Sequence, residues 1–255
     1  MGCCGILLKV IGAIAILLAV GVGWLQSDCA CRACFFAKFF RLRPVKSDAF
    51  LREVVCPHIA GVEGVVVDVG SGTGITLVCY ANMTKITKIY LVEPNPHFEG
   101  DLLANAAKFG LTDKVEIIVE GGQAMNNRIP DGSVDHAVSV HLICSIDSGV
   151  LASVAGSVAQ VLRPGGQWHM VDHTAAPEGT WTRAFQRFVA PVWEIVGNGC
   201  KFLPMPVVYR DLFNGKANAL VATEVVEFQA TALPRIASII HPHVKGRAAK
   251  PNQGK

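Results

Sequence analysis

The chain has 255 residues, of which 51% are hydrophobic and 17% charged, so a sizeable core is available and global disorder is excluded. Its net charge of +3 is unevenly spread: residues 1–52 hold seven Lys and Arg against Asp28 and Asp48, and the remainder is net −2. The basic excess flanks an apolar segment instead of covering the body, which argues for anionic lipid headgroups and against a nucleic-acid surface.

Residues 6–25, ILLKVIGAIAILLAVGVGWL, form the first predicted element and carry one charge, Lys9. At about 1.5 Å per residue such a helix spans roughly 30 Å, the thickness of a bilayer's hydrocarbon. The stretch is longer than the usual apolar region of a signal peptide, and no clear small-x-small cleavage site follows it. Residues 1–40 are therefore expected to be a retained membrane anchor with its juxtamembrane segment. An interfacial helix is the alternative, since Lys9 and CFFAKFF at 34–40 suit an interface. Positive flanking charge predicts a cytosolic body. Five of the nine cysteines, Cys3, Cys4, Cys29, Cys31 and Cys34, flank the apolar segment. CACRAC offers three thiolates without a fourth ligand, so acylation or interfacial packing suits it better than a metal. Cys56, Cys79, Cys144 and Cys200 show no paired framework by spacing, which fits a reducing compartment.

Residues 41–60 read as a basic linker and short helix, with Ser47 or Asp48 as cap. From there strands and helices alternate. Strands are predicted over residues 64–70, 88–94, 115–121, 134–140 and 167–173. Helices are predicted over 95–109, 148–162 and 179–196, the second stopped by RPGG at 163–166. Residues 200–213 read as a Pro-broken loop and turn. Two last strands fall at 223–230 and about 236–244, giving seven in all. The basic stretch from Lys245 reads as a frayed tail, with 246–255 outside the folded domain. The apolar strands interleaved with helices predict a mostly parallel α/β sheet, helices on both faces, over residues 61–245.

DVGSGTG, residues 68–74, follows the run GVVV. Gly70, Gly72 and Gly74 fall on alternate positions, with Asp68 before them. Glycines at the end of a first strand permit positive φ and let a ligand touch backbone. A dinucleotide fingerprint would put its third glycine at Ile75; here it comes one place early. Glu93 ends the next strand, 25 residues after Asp68, where an acid can accept from both hydroxyls of a ribose. The expected ligand is nucleoside-like, without a pyrophosphate cradle.

D-x-G-x-G-x-G after strand one, an acid after strand two and LRPGG before strand five resemble the Rossmann-like class I S-adenosylmethionine-dependent methyltransferases. LVEPNPHF at 91–98, DGSVD at 131–135, LICS at 142–145, VLRPGG at 161–166, VDHTAA at 171–176 and GNGC at 197–200 are similar to the methyltransferase-like-7 group. Those proteins are membrane-anchored thiol S-methyltransferases of the endoplasmic reticulum and lipid droplets. The resemblance runs from about residue 64 to 250. It implies S-adenosylmethionine as cofactor, with Asp68, Gly70, Ser71, Gly72, Thr73 and Gly74 along its methionine part. Glu93 and Pro94 would meet the ribose, Gln123 and Ala124 the adenine, and His141 would face methyl transfer. Gln123 stands where many relatives have an acid, and Glu93 where close relatives tend to have Asp.

A thiol acceptor is only a few per cent ionised at neutral pH, so a base or cation beside it would help. VDHTAA offers His173 as that base or as an electrostatic partner, beside Asp172; His141 has a similar claim. Trp181, Phe185, Phe188 and Trp193 are expected to wall a pocket for a small lipophilic acceptor, an alkyl thiol first. Oxygen or carbon methylation of a lipid or quinone is the enzymatic alternative, and a non-catalytic membrane-tethered binding module the other. No His, Cys or Asp cluster has metal-ligand spacing along the chain, so metal independence is expected. No nucleic-acid or obligate protein partner is inferred.

Overall fold

The computed structural model describes residues 32–42, 48–215, 218–233 and 235–252. The chain divides into two units, residues 1–43 and 44–255. In the first, α1 (Arg32–Leu42) stacks Phe35 on Phe39 and sets Phe36 against Phe40. The expected anchor at 6–25 lies outside the described residues. Among those described, no helix is long and apolar enough to cross a membrane.

The second unit is built on one seven-stranded sheet, ordered β3-β2-β1-β4-β5-β7-β6. Its strands are β1 (Gly64–Val69), β2 (Ile86–Val92), β3 (Val115–Ile118), β4 (Val134–Val140), β5 (Leu162–His173), β6 (Val221–Gln229) and β7 (Pro242–Ala249). The first five run parallel, and β7 is antiparallel to both β5 and β6. Residues 48–58 form a helical run, α2. It is followed by α3 (Leu77–Tyr80), α4 (Glu99–Lys108), α5 (Ser148–Val161), α6 (Trp181–Val196) and α7 (Met205–Leu212).

The β-branched run of β1 explains its place at the centre. Val67 and Val69 enter one core with α5, Trp168, Met170 and Tyr209; Val66 enters the other with Val55, Leu77, Leu91 and Leu102. Successive residues of a strand face opposite ways, so a strand apolar on both sides must be covered on both sides.

Four expectations are corrected. Residues 200–213 contain α7, because Pro204 and Pro206 sit at its first turn, where a missing N–H costs no helical bond. The last strand lies further on, at 242–249, preceded by a 3₁₀ turn at Arg235–Ile240. Arg247 and Lys250 of the expected tail are tied down, not frayed. Arg247 donates to the His58 carbonyl at 2.9 Å, and Lys250 donates to the Ala159 and Leu162 carbonyls at 2.7 and 2.6 Å. Ala159 lies in the last turn of α5 and Leu162 is its C-cap, an end where a cation is favoured. Gly246 is needed there, since a Cβ would lie 2.6 Å from the Tyr209 ring. Finally, Cys56 and Cys79 are disulfide-bonded, joining α2 to α3. Spacing alone cannot show that pairing, and the inference of a reducing compartment loses its basis with it.

Candidate active site

The strand order reverses between β1 and β4, and in open α/β sheets that switch point opens the crevice for a ligand at the carboxyl ends of the strands. The turn after β1 lies there. Gly70, Gly72 and Gly74 have φ of 73°, 56° and 75°, a region costly for side chains. Their surroundings differ. A Cβ at Gly70 would strike Leu142, and one at Gly74 would strike Leu77 and Leu102. A Cβ at Gly72 would meet nothing within 4 Å. The middle glycine therefore faces open space, the room a ligand on this turn requires.

Glu93 closes β2 beside that space and is 8% exposed. Its Oε2 accepts from the Gly72 N–H at 2.8 Å and its Oε1 from the Asn95 N–H at 2.9 Å. Burial raises its pKa against the pull of those two donors. Two backbone bonds leave further lone pairs on both oxygens, enough for a vicinal diol.

Asp68 points beneath the turn. Its carboxylate accepts from the hydroxyls of Thr76 and Tyr80, and its backbone carbonyl from Ser71 Oγ at 2.8 Å. Burial pushes its pKa up to about 6, against those hydroxyl bonds and aided by the nearby Glu93 charge. In this structure it braces the turn and α3. Thr73 is buried, and its carbonyl accepts from Asn105 at 2.6 Å. Pro94 and Gln123 are exposed and Ala124 half-buried. The Gln123 amide folds over Gly121, and its carbonyl accepts from Ser157 Oγ at 2.8 Å.

A second group of side chains gathers where β4 and β5 end. His141 follows β4 with φ of 57°, its N–H donating to the Val171 carbonyl at 2.7 Å. Its ring lies on that of His173, centroids 4.0 Å apart and planes 8° apart. His243 comes from β7, its Nε2 3.0 Å from His141 Nε2. His243 Nδ1 faces the His241 carbonyl at 3.0 Å, so it carries the proton; burial lowers the ring's pKa to about 4. The Nε2 of neutral His243 is then an acceptor, and His141 donates to it. On the other side of the stack, His173 Nδ1 lies 3.4 Å from Cys200 Sγ and 3.9 Å from Cys144 Sγ. The two sulfurs are 3.4 Å apart. Burial pushes the Cys144 thiol up, while the bond it shares with Cys144 draws Cys200 down.

The fold brings His141 and His173, the two candidate bases, into one stack, and the Asp172 carboxylate bonds elsewhere. Its Oδ1 accepts from the Cys144 N–H at 3.1 Å and its Oδ2 from the Tyr209 hydroxyl at 2.7 Å. It positions the segment that carries Cys144; burial raises its pKa. The aromatic wall is also corrected. Trp181, Phe185 and Phe188 are 92%, 54% and 80% exposed on the outer face of α6, and only Trp193 turns inward, edge-on to His173 and stacked on Phe202. Cys144, Cys200 and His243 entered no sequence-based site. They arrive from three separate segments, and nothing in their spacing announces it.

A sheet of this order with a glycine turn and a strand-end acid at its switch point defines a class I S-adenosylmethionine-dependent methyltransferase. Residues 66–166 match the methyltransferase domain family. The chain is 30% identical to human thiol S-methyltransferase TMT1B over 183 residues, covering 72% of this chain and 69% of that protein. It is 28% identical to human TMT1A over the same shares of each. The chain belongs to this thiol S-methyltransferase family. The geranyl diphosphate C-methyltransferase of Streptomyces coelicolor A3(2), solved with S-adenosyl-L-homocysteine, shares the fold. Its TM-score is 0.61 at 15% identity, covering 78% of this chain and 79% of that one.

Proposed function

We propose that this methyltransferase methylates a small lipophilic thiol. One observation carries the reading. Leu142, next to His141 and two residues from Cys144, packs on Gly70, so the donor turn and the His–Cys group adjoin. Bound S-adenosylmethionine supplies an electrophilic methyl on a sulfonium. Glu93 would hold its ribose through the lone pairs left over by Gly72 and Asn95. Gly70–Gly74 would give its methionine part a path over bare backbone, with Ser71 and Thr73 in that turn. Asp68 would keep the turn in shape. Pro94, Gln123 and Ala124 would border the sugar and base.

On the acceptor side, His141 is half-buried and adjoins Leu142, which packs on Gly70, and we assign it the thiol proton. His173, stacked behind it, fixes its plane. Asp172 acts at one remove, through the segment holding Cys144. The TMT1 relatives, named for thiol methylation, support sulfur as the acceptor atom.

The proposed setting is a membrane, that of the endoplasmic reticulum or of lipid droplets by family resemblance, with residues 6–25 as anchor. Trp181, Phe185, Phe188 and Val192 support it. They recur at helical spacing on one exposed face of α6, the pattern of a surface that dips into a lipid interface.

Incubation of the full chain with labelled S-adenosylmethionine and a panel of alkyl thiol, phenol and quinone acceptors tests the reading. Label should appear in the thioether. Transfer to the phenol or quinone alone would move the acceptor to oxygen or carbon. Calorimetric cofactor binding with no transfer to any acceptor would leave a binding module.

A further inference from the structure

Cys144, His173 and Cys200 present three ligand atoms to one point from three segments: the turn after β4, the end of β5 and the loop after α6. Tetrahedral zinc, with Zn–S about 2.3 Å and Zn–N about 2.0–2.1 Å, requires an S···S edge of about 3.8 Å and S···N edges of about 3.6 Å. The three edges here are 3.4, 3.4 and 3.9 Å. We propose that these residues form a zinc site, with the fourth ligand supplied from outside the chain.

Three further features fit. Two thiolates and a neutral imidazole balance a dication, so the buried group carries no net charge. The ligand segments are held from outside the triad: Asp172 accepts from the Cys144 N–H, and the Lys201 N–H donates to the Cys144 carbonyl at 2.8 Å. The buried Trp193 indole N–H converges with Cys200 on Gly197 and bonds to the Cys200 thiol, the outer donor that a metal-bound thiolate takes. Cys200 also lines a surface depression of about 300 Å³ with Gln186, Phe202 and Leu203, which gives the ion a way in. The other candidate group, His141, His173 and His243, is a poorer choice. It offers three imidazoles and no thiolate, so a bound dication would keep its charge uncompensated in a largely buried place. Binding replaces two thiol protons with one Zn²⁺, two protons leaving to solvent.

The test does not use turnover, so it stands or falls separately from thiol methylation. The full chain, purified under reducing conditions and loaded with zinc, is assayed for metal content beside Cys200→Ser and His173→Gln. Those variants remove the signal of this site from any contributed by the N-terminal cysteines. About one zinc per chain should be lost in each variant, with affinity down at least about 10-fold. Cobalt in place of zinc should give sulfur-to-metal charge-transfer absorption in the wild type that weakens in Cys200→Ser. Unchanged metal content across the three proteins would overturn the proposal. So would a Cys144–Cys200 disulfide, found by mass spectrometry, in a chain that takes up no metal after reduction.

Discussion

The turn after β1 and the His–Cys group after β4 and β5 share the carboxyl edge of the sheet and are built in opposite ways. The turn is backbone: three positive-φ glycines within five residues, held by the side chains of Glu93 and Asn105 through the Gly72 N–H and the Thr73 carbonyl. The group is side chain: His141, Cys144, His173, Cys200 and His243, spread over about a hundred residues and joined only by folding. A backbone site can be damaged by adding one atom. A side-chain site is damaged by removing one, or by loosening what holds it.

The sharpest break of that contrast lies at Glu93 and Gly72. Glu93→Gln keeps the size and loses the charge. Weakening two charge-assisted bonds of about 1.5–3 kcal/mol each should lower cofactor affinity about 100-fold or more by calorimetry. Gly72→Val should do as much by filling the open space and straining a residue at φ 56°. His173→Gln, on the other side of Leu142, should leave cofactor affinity within about threefold. Equal losses in all three would mean that the two regions are one cooperative unit.

The contrast also decides what the sequence can reveal. Gly70, Gly72, Gly74 and Glu93 are legible because backbone geometry demands glycine at fixed offsets, and a strand must end where its acid sits. The parallel core was legible because β1 and β2 are apolar on both faces. α7 was hidden because Pro204 and Pro206 are breakers in a helix interior and tolerated in a first turn. β7 is misplaced because its Arg247 and the Lys250 that follows it look solvated, whereas backbone carbonyls receive them. The Cys144–His173–Cys200 triad is a purely tertiary fact, as is the Cys56–Cys79 disulfide. Outward aromatics on α6 obey the same 3.6-residue period as inward ones, so spacing could not tell a pocket wall from a lipid-facing ridge.

Titration separates the regions by sign. Burial, with the nearby His136, His58 and Arg247 charges, lowers the pKa of His169 to about 3. Its unfolded form takes up a proton near pH 6.5 that the folded form refuses, so its contribution to stability is full above pH 6.5 and drains away on acidification. Asp68, beneath the glycine turn, runs the other way: raised to about 6, it stabilises below its unfolded pKa and loses that contribution as pH rises to 6. Between pH 6.5 and 5 the His169 loss is roughly 1.5 kcal/mol and the Asp68 gain roughly 1 kcal/mol. On these two contributions, acidification from pH 6.5 to 5 should raise stability in His169→Gln by roughly 1 kcal/mol and lower it in Asp68→Asn by roughly 1.5 kcal/mol, read by thermal melts across that range. Parallel shifts in both variants would refute the assignment of opposite signs.

Tyr209→Phe should give the smallest effect and probes only the side-chain region. The hydroxyl donates to Asp172 at 2.7 Å, and its loss leaves the Cys144 N–H at 3.1 Å, the Ile143 N–H and the Cys144 thiol as donors. A fully buried carboxylate deprived of a donor is costly, but Asp172 already has a raised pKa and can relieve part of the cost by taking a proton. We expect about 1 kcal/mol lost at pH 7 and less at pH 5, because protonation then comes more easily. Cofactor affinity should not move, since Tyr209 touches nothing at the glycine turn. Thiol reactivity should: with Asp172 loosened, the Cys144 segment opens more often, and a probe should label Cys144 faster in Tyr209→Phe than in the wild type. Faster labelling with unchanged cofactor affinity would place Asp172 as the support of the cysteine segment, and slower or unchanged labelling would remove it from that role.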